Sequence, residues 1–219
     1  MLYLFDIDGT LVDTGGAGIQ ALQEASLALF GDRGPALDLA GSTDLGIVGN
    51  LHAHFGIAAD RPQSDEFFGI YHERLIWNLA YGNFPGRVLE GVLEVLEVLA
   101  ARPGVALGLL TGNTATGAAA KMRHFKLERY FPVGAFGSDH ADRNRLGPIA
   151  LQRAADYFGR GFTPAETWVI GDTPKDIACA HAMGARCLAV ATGQFTVAAL
   201  EAHGADEVVT TLDLALAWL

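Results

Sequence analysis

The chain has 219 residues, half of them apolar, with 27 glycines and a formal net charge of −10. That length accommodates one large α/β domain or a core with a small accessory domain, and the apolar share excludes a disordered protein. The acidic balance argues against a nucleic-acid or anionic-membrane partner, while a small anionic substrate beside a bound cation stays compatible with it.

The first expected element is a buried strand over residues 2–5, which runs into Asp6 and Asp8 before Gly9-Thr10 turns the chain. Parallel sheets place ligands at the carboxyl ends of their strands. A carboxylate there can attack a phosphoryl group if a cation suppresses the charge repulsion, and a second one two residues on can supply a proton. Helices are expected next at 19–30, 44–55 and 65–80, with loops at Asp32-Arg33-Gly34-Pro35 and Ala59-Asp60-Arg61-Pro62 and no convincing strand between Gly15 and Phe84. Residues 15–84 therefore read as a helical insertion projecting over Asp6 and Asp8. Its junctions, Gly15-Gly16-Ala17-Gly18 and Asn83-Phe84-Pro85-Gly86, have the composition of hinges, which favours a lid.

Beyond the insertion, strands at 105–110, 132–136, 167–170, 186–191 and 207–209 alternate with helices at 87–101, 114–125, 148–158, 174–183 and 197–202. Alternation at these lengths predicts parallel βαβ units. One strand ends in Thr111-Gly112-Asn113-Thr114, where a hydroxyl, a small residue and a helix start can hold phosphate. Another ends in Gly171-Asp172-Thr173-Pro174-Lys175-Asp176, whose two acids can serve a hard cation with oxygen ligands. Between them, residues 137–148 hold Arg143 and Arg145 but no lysine, and Lys121 and Lys126 read as surface residues. The seven histidines form no convincing ligand pair, which disfavours zinc. Cys179 and Cys187 read as isolated buried thiols in a reducing compartment. Asp6 and Asp8 interrupt any signal-peptide core, and no apolar run reaches the roughly 20 residues of a membrane span. A cytoplasmic protein, monomeric or homodimeric, is expected.

The run Phe5-Asp6-Ile7-Asp8-Gly9-Thr10-Leu11-Val12-Asp13-Thr14 resembles the first motif of the haloacid dehalogenase superfamily. Thr111-Gly112-Asn113 is similar to its second motif, and Gly171-Asp172 with Asp176 to its fourth. In order and spacing the three look most like the phosphoglycolate-phosphatase-like branch with a helical cap. The resemblance implies an α/β fold, a Rossmann-like three-layer parallel-sheet core over 1–14 and 85–219 with an inserted α-helical cap domain at 15–84. It implies a Mg²⁺-dependent phosphatase that hydrolyses a small-molecule phosphomonoester through an aspartyl-phosphate. Asp6 would be the nucleophile and Asp8 the general acid/base. Gly9, Thr10, Thr111, Gly112 and Asn113 would hold the substrate, and Asp6, Asp172 and the backbone carbonyl of Asp8 the metal, with Asp176 as a supporting or water-mediated ligand.

The family's third motif is usually a lysine, and here the chain departs from the pattern. Counting back from the following helix puts Arg145 nearest that position, with Arg143 two residues off. As a loop charge, the arginine in this role is expected to matter more for turnover than for stability. A 2-haloacid dehalogenase, a phosphosugar mutase and a catalytically silent binding protein are the alternatives on the same fold. Asp8 and Asp172 argue against the first, and the intact acids against the last.

Overall fold

The computed structural model describes residues 1–57 and 61–219. Among these, six parallel strands form one sheet: β1 (Leu2–Phe5), β4 (Ala106–Thr111), β5 (Gly134–Phe136), β6 (Thr167–Gly171), β7 (Arg186–Val190) and β8 (Glu207–Val209). Their order is β5-β4-β1-β6-β7-β8, and β1 pairs in register with β4 on one side and β6 on the other. The chain thus builds outward from β1 to one edge, then returns and builds to the other. This reversal opens a crevice at the carboxyl ends of the central strands.

Alternation along β1 divides the core. Tyr3 and Phe5 face a cluster with Val92, Val95, Leu96 and Leu99 of α4 (Val92–Ala101) and with Ala118 and Met122 of α5 (Ala115–His124). Leu2 and Leu4 face a second cluster with α6 (Leu146–Phe158), α7 (Pro174–Ala182) and α8 (Val197–Ala202) on the opposite side. Two helical layers around a sheet buried on both faces explain why β1 and β4 are apolar throughout rather than alternating.

Three helices lie between β1 and α4 in the chain: α1 (Ala17–Phe30), α2 (Asp44–His54) and α3 (Arg61–Tyr81). They enclose a third apolar cluster, with Phe67, Tyr71 and Leu75 of α3 at four-residue spacing against Ala21, Leu22 and Ala25 of α1 and Ile47, Val48 and Leu51 of α2. Helix α3 starts at Arg61, so Arg61-Pro62 belong to it rather than to the expected loop, and Ala59-Asp60 of that loop lie outside the described residues.

The helix expected over 87–101 begins only at Val92. Its first residues are diverted: β3 (Arg87–Val88) pairs antiparallel with β2 (Val12–Asp13), and Gly91, at φ 77°, turns the chain into α4. The two junctions of the helical insertion lie against each other there. A Cβ on Gly15 would come within 2.8 Å of the Pro85 nitrogen, so this crossing needs glycine. No helix among the described residues is long and apolar enough to cross a membrane. Cys179 and Cys187 are buried and free of any disulfide.

Candidate active site

The ends of β1, β4 and β6 converge on a cleft of about 550 Å³ whose lining includes Asp6, Asp8, Gly9, Gly112, Asn113, Lys121, Arg143 and Asp172. Asp6 follows β1 directly, and its amide donates to the Ile170 carbonyl of β6 at 2.9 Å, locking its backbone to the neighbouring strand. Carboxylate oxygens of Asp6, Asp172 and Asp176 lie within 4.8 Å of one another, all buried. Asp6 Oδ1 has no hydrogen-bond partner among the described residues, although the Arg143 guanidinium stands 3.4 Å away.

The electrostatics of this cluster are unfavourable as it stands. Burial pushes the Asp6 carboxyl up to about 6, against the pull of Arg143, and the nearby Asp176 adds to the rise. Asp172 is pushed up to about 8 by burial, then by Asp176 and Asp6. Like charges and desolvation both disfavour ionisation. An orphaned carboxylate oxygen beside a second elevated carboxylate is an all-oxygen donor set that suits a hard divalent cation.

Thr10 and Thr111 are fully buried behind the cleft. The Thr10 hydroxyl donates to Asp172 Oδ1 at 3.1 Å and so orients that acid, while the Thr111 hydroxyl accepts from the Asn113 amide and Nδ2 at 3.3 and 2.9 Å. Gly9 has φ 80°, and a Cβ there would meet Asp172 Oδ2 at 2.3 Å, so the turn after Asp8 requires glycine to admit that carboxylate.

Asp8 stands apart from the acid cluster. Lys121 Nζ donates to both of its oxygens, at 2.8 and 2.6 Å, and Asn113 Nδ2 donates to Oδ2 at 2.8 Å. Lys121 also donates to Asn113 Oδ1 at 2.6 Å. The side chain of Asp8 is 44% exposed, facing the cleft, whereas that of Lys121 is 4% exposed. The expectation that Lys121 lies on the surface is thus corrected, while Lys126 is exposed as expected. Lys121 shares the inward stripe of α5 with Ala118 and with the N-cap Thr114, spaced by three and four residues, and its ammonium reaches Asp8 along that face. A cation placed in a buried stripe is the signal that could have found it.

The two arginines separate clearly. Arg143 is buried: its Nη2 donates to Asp176 Oδ1 at 2.5 Å and to the Leu110 carbonyl at 3.2 Å, and its Nη1 to the Gly41 carbonyl at 3.1 Å. Burial works against its charge, but Asp176 and Asp6 outweigh that and raise its pKa above the ordinary value. Arg145 points outward with 72% of its side chain exposed, 4.0 Å from Asp142. A one-turn 3₁₀ helix over Arg143–Arg145 puts the two side chains on different faces, so the count that favoured Arg145 misjudged the loop. The picture of an exposed loop charge fails for Arg143.

Asp176 caps α7. Its Oδ2 accepts from the Thr173 amide and hydroxyl at 3.0 and 2.7 Å, while its Oδ1 takes Arg143. Both oxygens are therefore engaged within the protein.

The segment before α2 lies across these groups. The Asp44 amide donates to the Gly112 carbonyl at 2.7 Å, and Asp44 Oδ2 accepts from the Thr114 amide at 2.7 Å. The Thr43 hydroxyl donates to the Ala141 carbonyl at 2.5 Å, and Lys175 reaches Asp38 and Ser42 Oγ at 2.8 and 2.7 Å. Burial pushes Asp44 up to about 6, with Lys121 opposing. The approach is so close that a Cβ on Gly112 would fall 1.9 Å from the Ser42 carbonyl oxygen. By residue type alone Asp44 is an ordinary first-turn acid of a helix, and its bond to the Thr114 amide is a contact that only the fold supplies.

Comparison with known proteins agrees with this geometry. The profile of the haloacid dehalogenase-like hydrolases matches residues 1–184. Phosphoglycolate phosphatase 1 of Pseudomonas aeruginosa is 28% identical over 88% of this chain and 70% of its own length. N-acetylmuramic acid 6-phosphate phosphatase of the same species is 28% identical over 94% of this chain and 88% of its own. Among solved structures, CbbY from Rhodobacter sphaeroides in complex with phosphate superposes with a TM-score of 0.76 at 20% identity, over 98% of this chain and 95% of that one, a likeness of fold.

Proposed function

From the premise that this chain belongs to the haloacid dehalogenase-like hydrolases, we propose that it is a divalent-metal-dependent phosphatase of small phosphomonoesters, acting through an aspartyl-phosphate. The two curated relatives are named for different esters, so the class of substrate carries over and the individual compound does not. The observation that carries the reading is Asp6: a buried carboxylate at the end of the central strand, with an unpartnered oxygen beside Arg143 and Asp172.

Asp6 is the nucleophile. It attacks phosphorus in line with the leaving oxygen, and Asp8 donates a proton to the departing alkoxide. Lys121 and Asn113 hold Asp8 at the mouth of the cleft, out of the acid cluster, where it meets the leaving group and not the metal ligands. Asp8 then takes a proton from the water that hydrolyses the acyl phosphate. Arg143 offsets charge on Asp6 and on the equatorial phosphoryl oxygens, where most of the stabilisation lies. Asp6 and Asp172 fit a Mg²⁺ ion, with Asp176 supporting from behind because its own oxygens are occupied; when bound, the ion supplies the positive charge that lets an anionic nucleophile meet an anionic ester. Helices α1–α3 form a cap over the cleft, and the Gly15–Gly18 and Asn83–Gly86 junctions are its hinges.

A screen of phosphomonoesters with Mg²⁺ added or chelated tests this. Turnover that needs the metal, disappears in Asp6→Asn and releases inorganic phosphate is the expected result. Phosphoryl retention on a sugar in the presence of its bisphosphate would point to a mutase instead.

A further inference from the structure

The leaving-group side of the cleft has a chemistry of its own. Ile19 and Leu22 of α1, Leu37 and Leu39 of the crossing segment, and Ile47 of α2 form one wall. Tyr71, 2% exposed, and Gln194 offer neutral polar groups on that side. Asp44 and Asp38 line that side, and Lys121 Nζ lies 3.7 Å from where a Cβ on Gly18, the neighbour of Ile19 on α1, would stand.

Two cations line the cleft among the described residues. Lys121 spends its three donors on Asp8 and Asn113. Arg143 spends its two terminal nitrogens on Asp176, Leu110 and Gly41, with Asp6 alongside, and its Nε, which has no partner among the described residues, is buried. Drawing either toward an anionic leaving group would strip a catalytic acid of its counter-charge. Lys175 is paired with Asp38 and does not line the cleft. Arg33 and Arg74 are exposed.

We infer that the substrate is the phosphate monoester of an uncharged alcohol with an apolar portion, and that esters with a carboxylate or a second phosphate in the leaving group are disfavoured. The inference rests on the phosphatase reading above and specifies the alcohol that departs when water cleaves the ester to alcohol and inorganic phosphate. An anionic group against this wall would be desolvated beside Asp44, where Lys121 is already bonded to Asp8 and Asn113. A methylene chain would instead be removed from water by Ile19, Leu39 and their neighbours.

The test compares kcat/KM for 2-hydroxyethyl phosphate and phosphoglycolate, which match in size and differ in one charge, and for ethyl and n-butyl phosphate, all with saturating Mg²⁺. p-Nitrophenyl phosphate reports separately whether the phosphatase chemistry operates. A preference of about tenfold or more for 2-hydroxyethyl phosphate is expected, the scale of one unpaired charge. The butyl ester should exceed the ethyl ester by several-fold. In Ile19→Lys, at a position 47% exposed and so tolerant of charge, the preference for the neutral ester should shrink by about fivefold or more. Phosphoglycolate turned over as well as 2-hydroxyethyl phosphate, with p-nitrophenyl phosphate also cleaved, would overturn the substrate class and leave the phosphatase reading intact. A preference unmoved in Ile19→Lys would overturn the placement of the leaving group on this wall. Failure to cleave any of the esters would remove both readings.

Discussion

Replacing Arg143 with alanine should damage the fold as well as the chemistry. Its guanidinium is 6% exposed and sits between Asp6 and Asp176, which are 6% and 0% exposed. Its removal leaves Asp6, Asp172 and Asp176 packed together with no cation and deprives the Gly41 and Leu110 carbonyls of a donor. Breaking a buried pair by deleting one partner costs about 3–5 kcal/mol. For a domain of this size each kcal/mol moves the midpoint by about 2–4 °C, so a fall of roughly 6–20 °C is expected in the metal-free protein. The deficit has a pH signature. Folded Asp6 and Asp172 are raised to about 6 and about 8, so they hold protons that the unfolded chain has already released. Below about pH 4 both states are protonated and the repulsion is silent; it grows as pH rises through the folded values. The midpoint difference between wild type and Arg143→Ala should therefore widen from pH 5 to pH 9. Differential scanning calorimetry across that range with chelator present measures it, and Mg²⁺ should narrow the gap by supplying a counter-charge. Arg143→Lys keeps the charge but cannot reach all the same acceptors, and should fall between the two. Arg145→Ala, at an exposed site, should stay within about 0.5 kcal/mol of wild type with turnover unchanged. An Arg143→Ala protein that melts with wild type at high pH would refute the reasoning.

Three further outcomes follow from the same geometry. Chelation should abolish turnover, and Mg²⁺ at about a hundred times its dissociation constant should stabilise the stripped protein by about 2.7 kcal/mol; activity and midpoint both indifferent to chelator would eliminate the metal. Lys121→Met should release Asp8 from its clamp and lower kcat by about 10–100-fold for alkyl phosphates, a share of the 10²–10⁴ that general acid catalysis supplies. Because p-nitrophenolate leaves without a proton, its phosphorylation step, read by rapid quench, should suffer less; equal losses would assign Lys121 a purely structural part. Asp44 is raised from 3.8 to about 6 in the folded protein, so its contribution to stability is complete below pH 4 and is lost as pH rises through 6. Asp44→Asn retains an acceptor for the Thr114 amide and cannot ionise, so between pH 4 and 7 it should gain about 2–3 kcal/mol relative to wild type in chemical denaturation; parallel curves would contradict the shift.

The sheet was legible because its strands are short apolar runs that end in chemistry-bearing residues. Thr111 closes β4, and Asp6 and Asp172 directly follow β1 and β6, so reading the strands located the acids as well. The start of α4 was not legible. Arg87-Val88 leave the helical pattern only because Val12-Asp13 lie beside them, a contact between segments far apart in sequence that no local period reports. Charge was misread for a related reason. Lys121 and Arg145 are equally basic in the sequence, and what distinguishes them is the face each presents. On α5 the helical period supplies that face, and combining it with the lysine would have placed Lys121 inside. The 3₁₀ turn that aims Arg143 inward has no such period.

Arg143 also links parts of the site that the sequence presents separately. Its Nη1 holds the Gly41 carbonyl of the crossing segment while its Nη2 holds Asp176 and approaches Asp6. Asp44 makes a parallel link, receiving the Thr114 amide at the start of α5, the helix that carries Lys121 to Asp8. The segment over 38–44 thus bonds Arg143, which lies beside Asp6, and the start of the helix whose Lys121 holds Asp8. A displacement of that segment removes a backbone acceptor from Arg143 and a carboxylate from the neighbourhood of Lys121 at the same time. On the roles proposed for Asp6 and Asp8, loosening this segment would bear on both acids, and Thr43→Val, which removes the contact with Ala141, is expected to lower kcat for p-nitrophenyl phosphate without altering an acid.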